Sequence, residues 1–246
     1  MTGFKQSRIS PKHYFEWRRK RAYPPVKSVN EKINLKNKYV LDIGCGYGAL
    51  SSILLQHGAQ VWATEVDSVK LNFAREQLGK NKNFSSFLVK DEVLPVEKDF
   101  FDAVFIFDVI EHVRNPGKTL EEIERVLKPG GYLYVEFTPY YSITGHHLYD
   151  FAKWPIHILP REKIRQIVYS KKIKGFMTQE YYWKQFESLN KLRISEFQRR
   201  VKHFEKIEER FIIKYPEKFE INIPFINFLG PLKDFFTMSF EGFYQK

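Results

Sequence analysis

Three glycines separated by single residues follow an apolar run in Val40-Leu41-Asp42-Ile43-Gly44-Cys45-Gly46-Tyr47-Gly48, and this stretch limits the fold more tightly than any other. The run reads as a buried strand that stops at an acid. The glycines read as a sharp turn, and Ala49 to His57, with Gly58 as the stop, reads as a helix. Such a turn leaves no Cβ between the main chain and a bound molecule, so the backbone can lie flat against a ligand. The dinucleotide fingerprint is excluded, because Ala49 follows Gly48 and no glycine recurs before Gly58. No Lys-Ser/Thr pair follows to make a phosphate loop.

At 246 residues the chain is long enough for a full core, and one α/β domain with an elaborated end fits better than two equal domains. No apolar run has the length of a membrane-spanning helix, and the first residues lack a signal-peptide core, so a cytoplasmic protein is the expectation. The single cysteine, Cys45, excludes an internal disulfide and a cysteine-rich zinc site. The net charge of +11 is uneven: +9 in residues 1–38, −5 in residues 39–158 and +7 in residues 159–246. Basic flanks around an acidic centre suit an anionic partner, either nucleic acid, a membrane surface or an anionic substrate, or else a solvated lysine-rich surface.

From Lys38 onward the pattern alternates strand and helix, the signature of a mostly parallel sheet covered on both faces. Residues 59–65 form the second strand, ending at Glu65, where an acid can accept the ribose hydroxyls of an adenosine ligand. Asp67 is the rival for that role. Residues 83–90 form a third strand that runs into Asp91-Glu92-Val93-Leu94-Pro95, and the apolar Phe101 to Phe107 form a buried fourth strand that ends at Asp108. Then come Glu111-His112, a helix opened by Asn115-Pro116, the stop Lys128-Pro129-Gly130-Gly131, and a fifth strand over 132–138.

The acid two residues before Gly44, the Gly-Cys-Gly that follows, Glu111-His112 and Leu127-Lys128-Pro129-Gly130-Gly131 together resemble the small-molecule branch of the class I S-adenosylmethionine-dependent methyltransferases. The resemblance covers roughly two-fifths of the chain, from Asp42 to Pro139. It implies a Rossmann-like, doubly wound, seven-stranded sheet with a helical lid. It also implies cofactor contacts from Asp42, Gly44, Cys45, Gly46, Gly48, Glu65, Val66, Asp91, Glu92 and Asp108. In the family pattern the ribose acid falls on Glu65 and Asp67 falls at a helix cap, while Asp91 would accept from the adenine amino group. The domain organisation that follows is a basic arm or helix over 1–38, a cofactor-binding core over 39–139, a substrate lid over 140–209 and terminal strands over 210–246.

Transfer from a sulfonium needs positioning, exclusion of water and, for a hydroxyl acceptor, a base. The candidate bases are His146 and His147, in the loop after the fifth strand, then His112 and His157, with Asp108 at the fourth strand's end. Asp108, Glu111 and His112, with His146 or His147 closing from the next loop (His146 the first candidate), also resemble the divalent-metal pattern of small-RNA 2′-O-methyltransferases and of some quinone-biosynthesis O-methyltransferases, although no metal is the first expectation. The Asn-Pro-Pro-aromatic motif of planar-amine enzymes is absent after the fourth strand, and Cys45 is misplaced for a cytosine C5 enzyme. The leading expectation is methyl transfer from S-adenosylmethionine, yielding S-adenosylhomocysteine, to a small-molecule, glycan or lipid-linked acceptor, more often on oxygen. An RNA ribose 2′-O-methyltransferase and a cofactor-binding module without turnover are the alternatives.

Three local expectations complete the reading. Tyr14 to Arg21 form a short helix that Pro24-Pro25 then force into extended chain. Residues 161–174 form a basic amphipathic helix whose Ile164, Ile167 and Val168 side packs inward or, as the second choice, lies on a membrane. Residues 186–209 are mostly helical, and the sequence carries no signal for an oligomeric state.

Overall fold

The computed structural model describes residues 8–90, 93–215 and 219–246. Asp91 and Glu92 therefore lie outside the described residues. The described residues divide into two compact units, one of residues 8–90, 93–107, 121–134 and 245–246, the other of residues 108–120, 135–215 and 219–244.

The first unit opens with helix α1 (Pro11–Ile33), capped by the Ser10 side chain, which accepts from the His13 N–H, and started by proline at its first position. It runs straight through Pro24 and Pro25, which overturns the extended chain expected there. The two prolines cannot donate to the carbonyls one turn back. Burial of Phe15, Ala22, Val26 and Val29, one stripe at helical spacing on both sides of the break, offsets that loss. Each fully buried aliphatic or aromatic side chain contributes about 1.5–3 kcal/mol. Tyr14 meets Tyr47 edge-on at 5.6 Å, and Phe15 lies 6.0 Å from Phe73, so the helix is fastened beside the glycine turn.

Strands β1 (Tyr39–Ile43) and β2 (Gln60–Glu65) alternate with helices α2 (Ala49–Gln56) and α3 (Ser68–Leu78), followed by β3 (Phe84–Leu88) and β4 (Phe101–Phe107). Strand β1 pairs in parallel with both β2 and β4, and β2 with β3. Asp67 caps α3, its side chain accepting from the Val69 and Lys70 N–H groups. Helix α4 (Pro116–Val126) leads into β5 (Leu127–Phe137), which passes from the first unit into the second.

The second unit continues with helices α5 (Arg161–Ser170), α6 (Gln179–Glu187) and α7 (Ile194–Arg200), strands β6 (Glu205–Tyr215) and β7 (Phe219–Asn222), a 3₁₀ segment Ile226–Leu232, α8 (Lys233–Phe236) and β8 (Ser239–Gln245). Ile164 and Val168 of α5 are buried, so its apolar side is turned inward. Helix gives way to strand at Glu205, earlier than the sequence suggested; the β-branched and aromatic Ile207, Phe211, Ile212 and Ile213 favour an extended chain there.

The sheet has eight strands in the order β3-β2-β1-β4-β5-β8-β6-β7, not seven. The extra strand is β7, which pairs antiparallel with β6 from Ile212↔Asn222 to Tyr215↔Phe219 and forms the edge. Its four residues are too short to stand out as a strand in the sequence. The order reverses between β1 and β4, the place where α/β sheets bind ligands beyond their carboxyl ends.

Candidate functional site

In the first unit, Gly44, Gly46 and Gly48 all have positive φ, at 68°, 55° and 85°. They differ in what surrounds them. A Cβ on Gly48 would stand 3.0 Å from the Ala74 Cβ and 3.0 Å from the Leu78 Cδ1, so this glycine exists for helix packing. A Cβ on Gly46 would meet nothing within 4 Å, so this glycine presents bare backbone to open space.

The Gly46 N–H donates to Glu65 Oε2 at 2.8 Å. The N–H groups of Val66 and Asp67 donate to Glu65 Oε1 at 2.8 and 3.0 Å. Glu65 is buried, and three charge-assisted bonds hold its carboxylate where β2 ends, against the turn that follows β1. These bonds use three of about four acceptor positions on a carboxylate. A grip on both ribose hydroxyls would come at the expense of one of them.

Asp42 is buried and accepts from Ser51 Oγ at 2.5 Å. Burial raises its pKa to about 7; the Ser51 bond opposes the rise, the Glu65 charge adds to it, and the Arg18 charge opposes it. Arg18 of α1 lies 4.8 Å above the Phe107 ring, and its guanidinium donates to the Phe107 carbonyl at 3.5 Å. Ser51 and Arg18 were missed from sequence. Ser51 sits one turn into α2, and Arg18 belongs to a segment that looked like a detached arm. Cys45 packs with Ala63, Leu71 and Phe84, and burial pushes its thiol well above the ordinary range, so it serves packing. Val66 is exposed.

In the second unit, Asp108 directly follows β4 with φ 55°, and its N–H donates to the Glu136 carbonyl at 2.8 Å. Glu111 is wholly buried; its Oε1 accepts from the Thr138 N–H at 3.3 Å, and its Oε2 has no hydrogen-bond partner among the described residues. Burial, then the Asp108 charge, raises the Glu111 pKa well above the carboxylate range. His147 Nε2 lies 3.7 Å from Glu111 Oε1, and the His112 and His147 rings meet edge-on at 5.0 Å. The hydroxyl of Ser188 lies 2.7 Å from His112 Nδ1. His147 also has φ 54°. Two non-glycine residues held in the left-handed region, Asp108 and His147, thus belong to one constellation, as strained residues at functional sites often do.

His146 is not part of it. It is buried, its Nδ1 accepts from the Leu148 N–H at 3.0 Å, and its ring stacks with Tyr149 and His157. Burial lowers its pKa to about 3, with the neighbouring His157 and His147 adding to the shift. The ligand atoms of Glu111, His112 and His147 lie within 4.8 Å of one another, so the histidine that joins the acid is His147 rather than His146.

The sheet order, the glycine turn and the buried acid at the end of β2 define a class I methyltransferase fold. Residues 41–135 match the family model described as "Methyltransferase domain". Curated relatives include the ubiquinone biosynthesis O-methyltransferases of Coxiella burnetii and Pseudomonas fluorescens. The first is 29% identical over 143 residues, covering 55% of this chain and 58% of the relative. The second is 32% identical over 128 residues, covering 48% and 55%. The chain thus spans a little over half the length of these relatives. Two solved structures share the fold at low identity. A SAM-dependent methyltransferase from Aquifex aeolicus has a TM-score of 0.54 at 16% identity, covering 91% of this chain and 90% of that one. A possible histamine N-methyltransferase from Thermotoga maritima has a TM-score of 0.60 at 17% identity, covering 99% and 98%.

Proposed function

We propose that this chain transfers the methyl group of S-adenosylmethionine to an oxygen of a small-molecule acceptor. The observation that carries the oxygen assignment is the Glu111, His112 and His147 cluster, a buried acid facing an imidazole at 3.7 Å. A hydroxyl must lose its proton as it attacks, whereas an unprotonated amine needs no base. The names of the curated O-methyltransferase relatives point the same way, without specifying this chain's acceptor.

In this reading S-adenosylmethionine supplies the sulfonium-activated methyl group. Glu65 and the bare backbone at Gly46 hold the adenosine, with Asp91 and Glu92 assigned to the adenine edge on the resemblance alone. Asp42 and Arg18 present one carboxyl group and one cationic guanidinium toward the amino-acid end of the cofactor. His147 takes the acceptor proton, and Glu111, facing its ring at 3.7 Å, positions the imidazole. The oxygen–methyl bond forms as the sulfur–methyl bond breaks, S-adenosylhomocysteine leaves, and the proton passes to solvent from His147. The segment between β5 and β6 is the part assigned to acceptor recognition.

A second reading has Glu111, His112 and His147 hold a divalent ion. One carboxylate oxygen and two imidazoles suit Mn²⁺ or Zn²⁺, and the unpartnered Oε2 of Glu111 is the kind of atom an ion would satisfy. Such an ion would lower the pKa of an acceptor hydroxyl. Metal content of the purified protein, and titration with Mg²⁺, Mn²⁺ and Zn²⁺, tests this directly.

The reaction is tested by calorimetric titration with S-adenosylmethionine, followed by a methyl-transfer screen over phenols, carboxylates, glycans, lipid-linked hydroxyls and RNA. Cofactor binding with transfer to a small hydroxyl compound supports the proposal. Transfer to RNA with steep salt dependence replaces it with the ribose reading. Binding without any acceptor replaces it with a binding module, and absence of binding removes all three.

A further inference from the structure

Resting on the reading of Glu111, His112 and His147 as the reacting cluster, we propose that Ser188 is a positioning residue: it fixes the proton of the neutral His112 ring on Nδ1, so that the ring's lone pair stays on Nε2. Ser188 follows the last turn of α6, where helical carbonyls have no N–H one turn on to satisfy them. Its hydroxyl donates to one of these, the Gln185 carbonyl, at 2.8 Å. A carbonyl can only accept, and a serine hydroxyl has a single proton. The 2.7 Å approach between Ser188 Oγ and His112 Nδ1 is therefore a bond in which the ring N–H donates and the hydroxyl oxygen accepts. The hydrogen bond made by one ring nitrogen decides which nitrogen keeps the lone pair.

The loop that carries His112 is held by the same segment. The Asn190 N–H donates to the Glu111 carbonyl at 2.9 Å, and Asn190 Nδ2 donates to the Ile110 and Val113 carbonyls at 2.7 and 2.9 Å. Asn190 Oδ1 accepts from the Leu192 N–H at 3.0 Å, so both ends of this side-chain amide are engaged. The His112 N–H turns back to the Val109 carbonyl at 2.8 Å. The backbone on both sides of His112 is thus fixed, and Ser188 has only the ring left to orient. Both uses of the cluster need the same nitrogen. An acceptor hydroxyl that gives up its proton, or a divalent ion, is met by a lone pair, and with the proton on Nδ1 the lone pair of His112 is at Nε2. A histidine that binds an ion characteristically donates its other N–H to an oxygen, as His112 does to Ser188.

The test is a long-range proton–nitrogen correlation spectrum of the full chain carrying ¹⁵N-labelled histidine, at about pH 8, where an ordinary imidazole is neutral. His112→Gln identifies the His112 signals among those of the seven histidines. Wild-type His112 is expected to show a protonated Nδ1 and an unprotonated Nε2. Ser188→Ala is expected to shift the proton toward Nε2, the nitrogen an unconstrained imidazole favours, and Ser188→Thr, which keeps the hydroxyl, to restore the wild-type pattern. Ser188 is exposed, so neither substitution is expected to unfold the chain. With an acceptor from the methyl-transfer screen, Ser188→Ala should lower kcat about 10- to 100-fold while the Kd for S-adenosylmethionine stays within about twofold, and Ser188→Thr should recover most of the rate. A wild-type His112 protonated on Nε2 overturns the proposal, as does an unchanged tautomer in Ser188→Ala. So does a kcat that Ser188→Ala leaves unchanged, or a loss that Ser188→Thr does not recover. The spectrum needs no acceptor: if the expected tautomers are seen while no acceptor is methylated, the placement of the proton stands and the proposed reaction falls.

Discussion

Glu111 and His147 face each other with 3.7 Å between Oε1 and Nε2, the acid wholly buried and the histidine held at a positive φ. Neither position is comfortable alone. A buried carboxyl with an unpartnered oxygen is costly, and a left-handed histidine adds backbone strain. Glu111→Gln and His147→Ala are each expected to lower kcat about 10²- to 10⁴-fold while leaving the calorimetric Kd for S-adenosylmethionine within about twofold. An equal loss of cofactor affinity in both variants would assign the pair to binding rather than to proton transfer.

Gly46 and Gly48 should separate binding from folding. Gly48→Ala places a methyl group 3.0 Å from both Ala74 and Leu78 at φ 85°, and is expected to cost about 1–3 kcal/mol in denaturant unfolding. Gly46→Ala meets no protein atom, so it should cost about 1 kcal/mol of stability through its φ of 55° alone. Its larger effect should be on cofactor affinity, with a rise in Kd of at least about tenfold. Unchanged affinity in Gly46→Ala would remove the turn from the cofactor site.

The fold was legible in the sequence wherever a local rule decides it. The apolar run before Gly44, the acid ending β2 and the cap at Asp67 each follow from period, turn chemistry or capping, and the structure has them where the residues put them. What escaped was decided at a distance. Pro24 and Pro25 read as a break because their cost is local, whereas the burial of Val26 and Val29 that offsets it depends on what α1 packs against. His146 and His147 are adjacent in sequence, and only the fold of the loop turns one into a buried stack and the other toward Glu111. Strand β7 is four residues long and is specified by its partner β6, not by a pattern of its own.

Glu65 makes a sharper test of the adenosine site than its burial alone suggests. Glu65→Ala orphans the N–H groups of Gly46, Val66 and Asp67, with an expected loss of roughly 2–4 kcal/mol in stability. Glu65→Gln keeps an acceptor for these groups and should fold at a cost of about 1 kcal/mol, yet raise the cofactor Kd by about tenfold or more. Retained affinity in Glu65→Gln would place the ribose elsewhere.

Asp42 gives the protein a pH dependence of defined sign. Its folded-state pKa of about 7 lies above the ordinary value, so between about pH 4 and pH 7 the folded state holds a proton that the unfolded state has released. Stability should therefore fall as pH rises through that window and level off above it, by at most roughly 4 kcal/mol from this residue. Glu111, raised in the same direction, adds to the slope. Thermal melts between pH 5 and pH 8 are expected to show a Tm that falls more, or rises less, with pH in the wild-type chain than in Asp42→Asn, since the lowered pKa of buried His146 makes the opposite contribution up to about pH 6.5 in both chains. An equal slope in both would shift the origin away from Asp42.

Cys45 lies beneath the glycine turn, 7% exposed, and is the chain's only thiol. A disulfide reagent can reach it only when the turn lifts off Ala63 and Leu71, so the reaction rate clocks that opening with no label to attach and no competing sulfhydryl to subtract. Any molecule that seals the turn will slow the clock, and the degree of slowing measures how firmly it is held there.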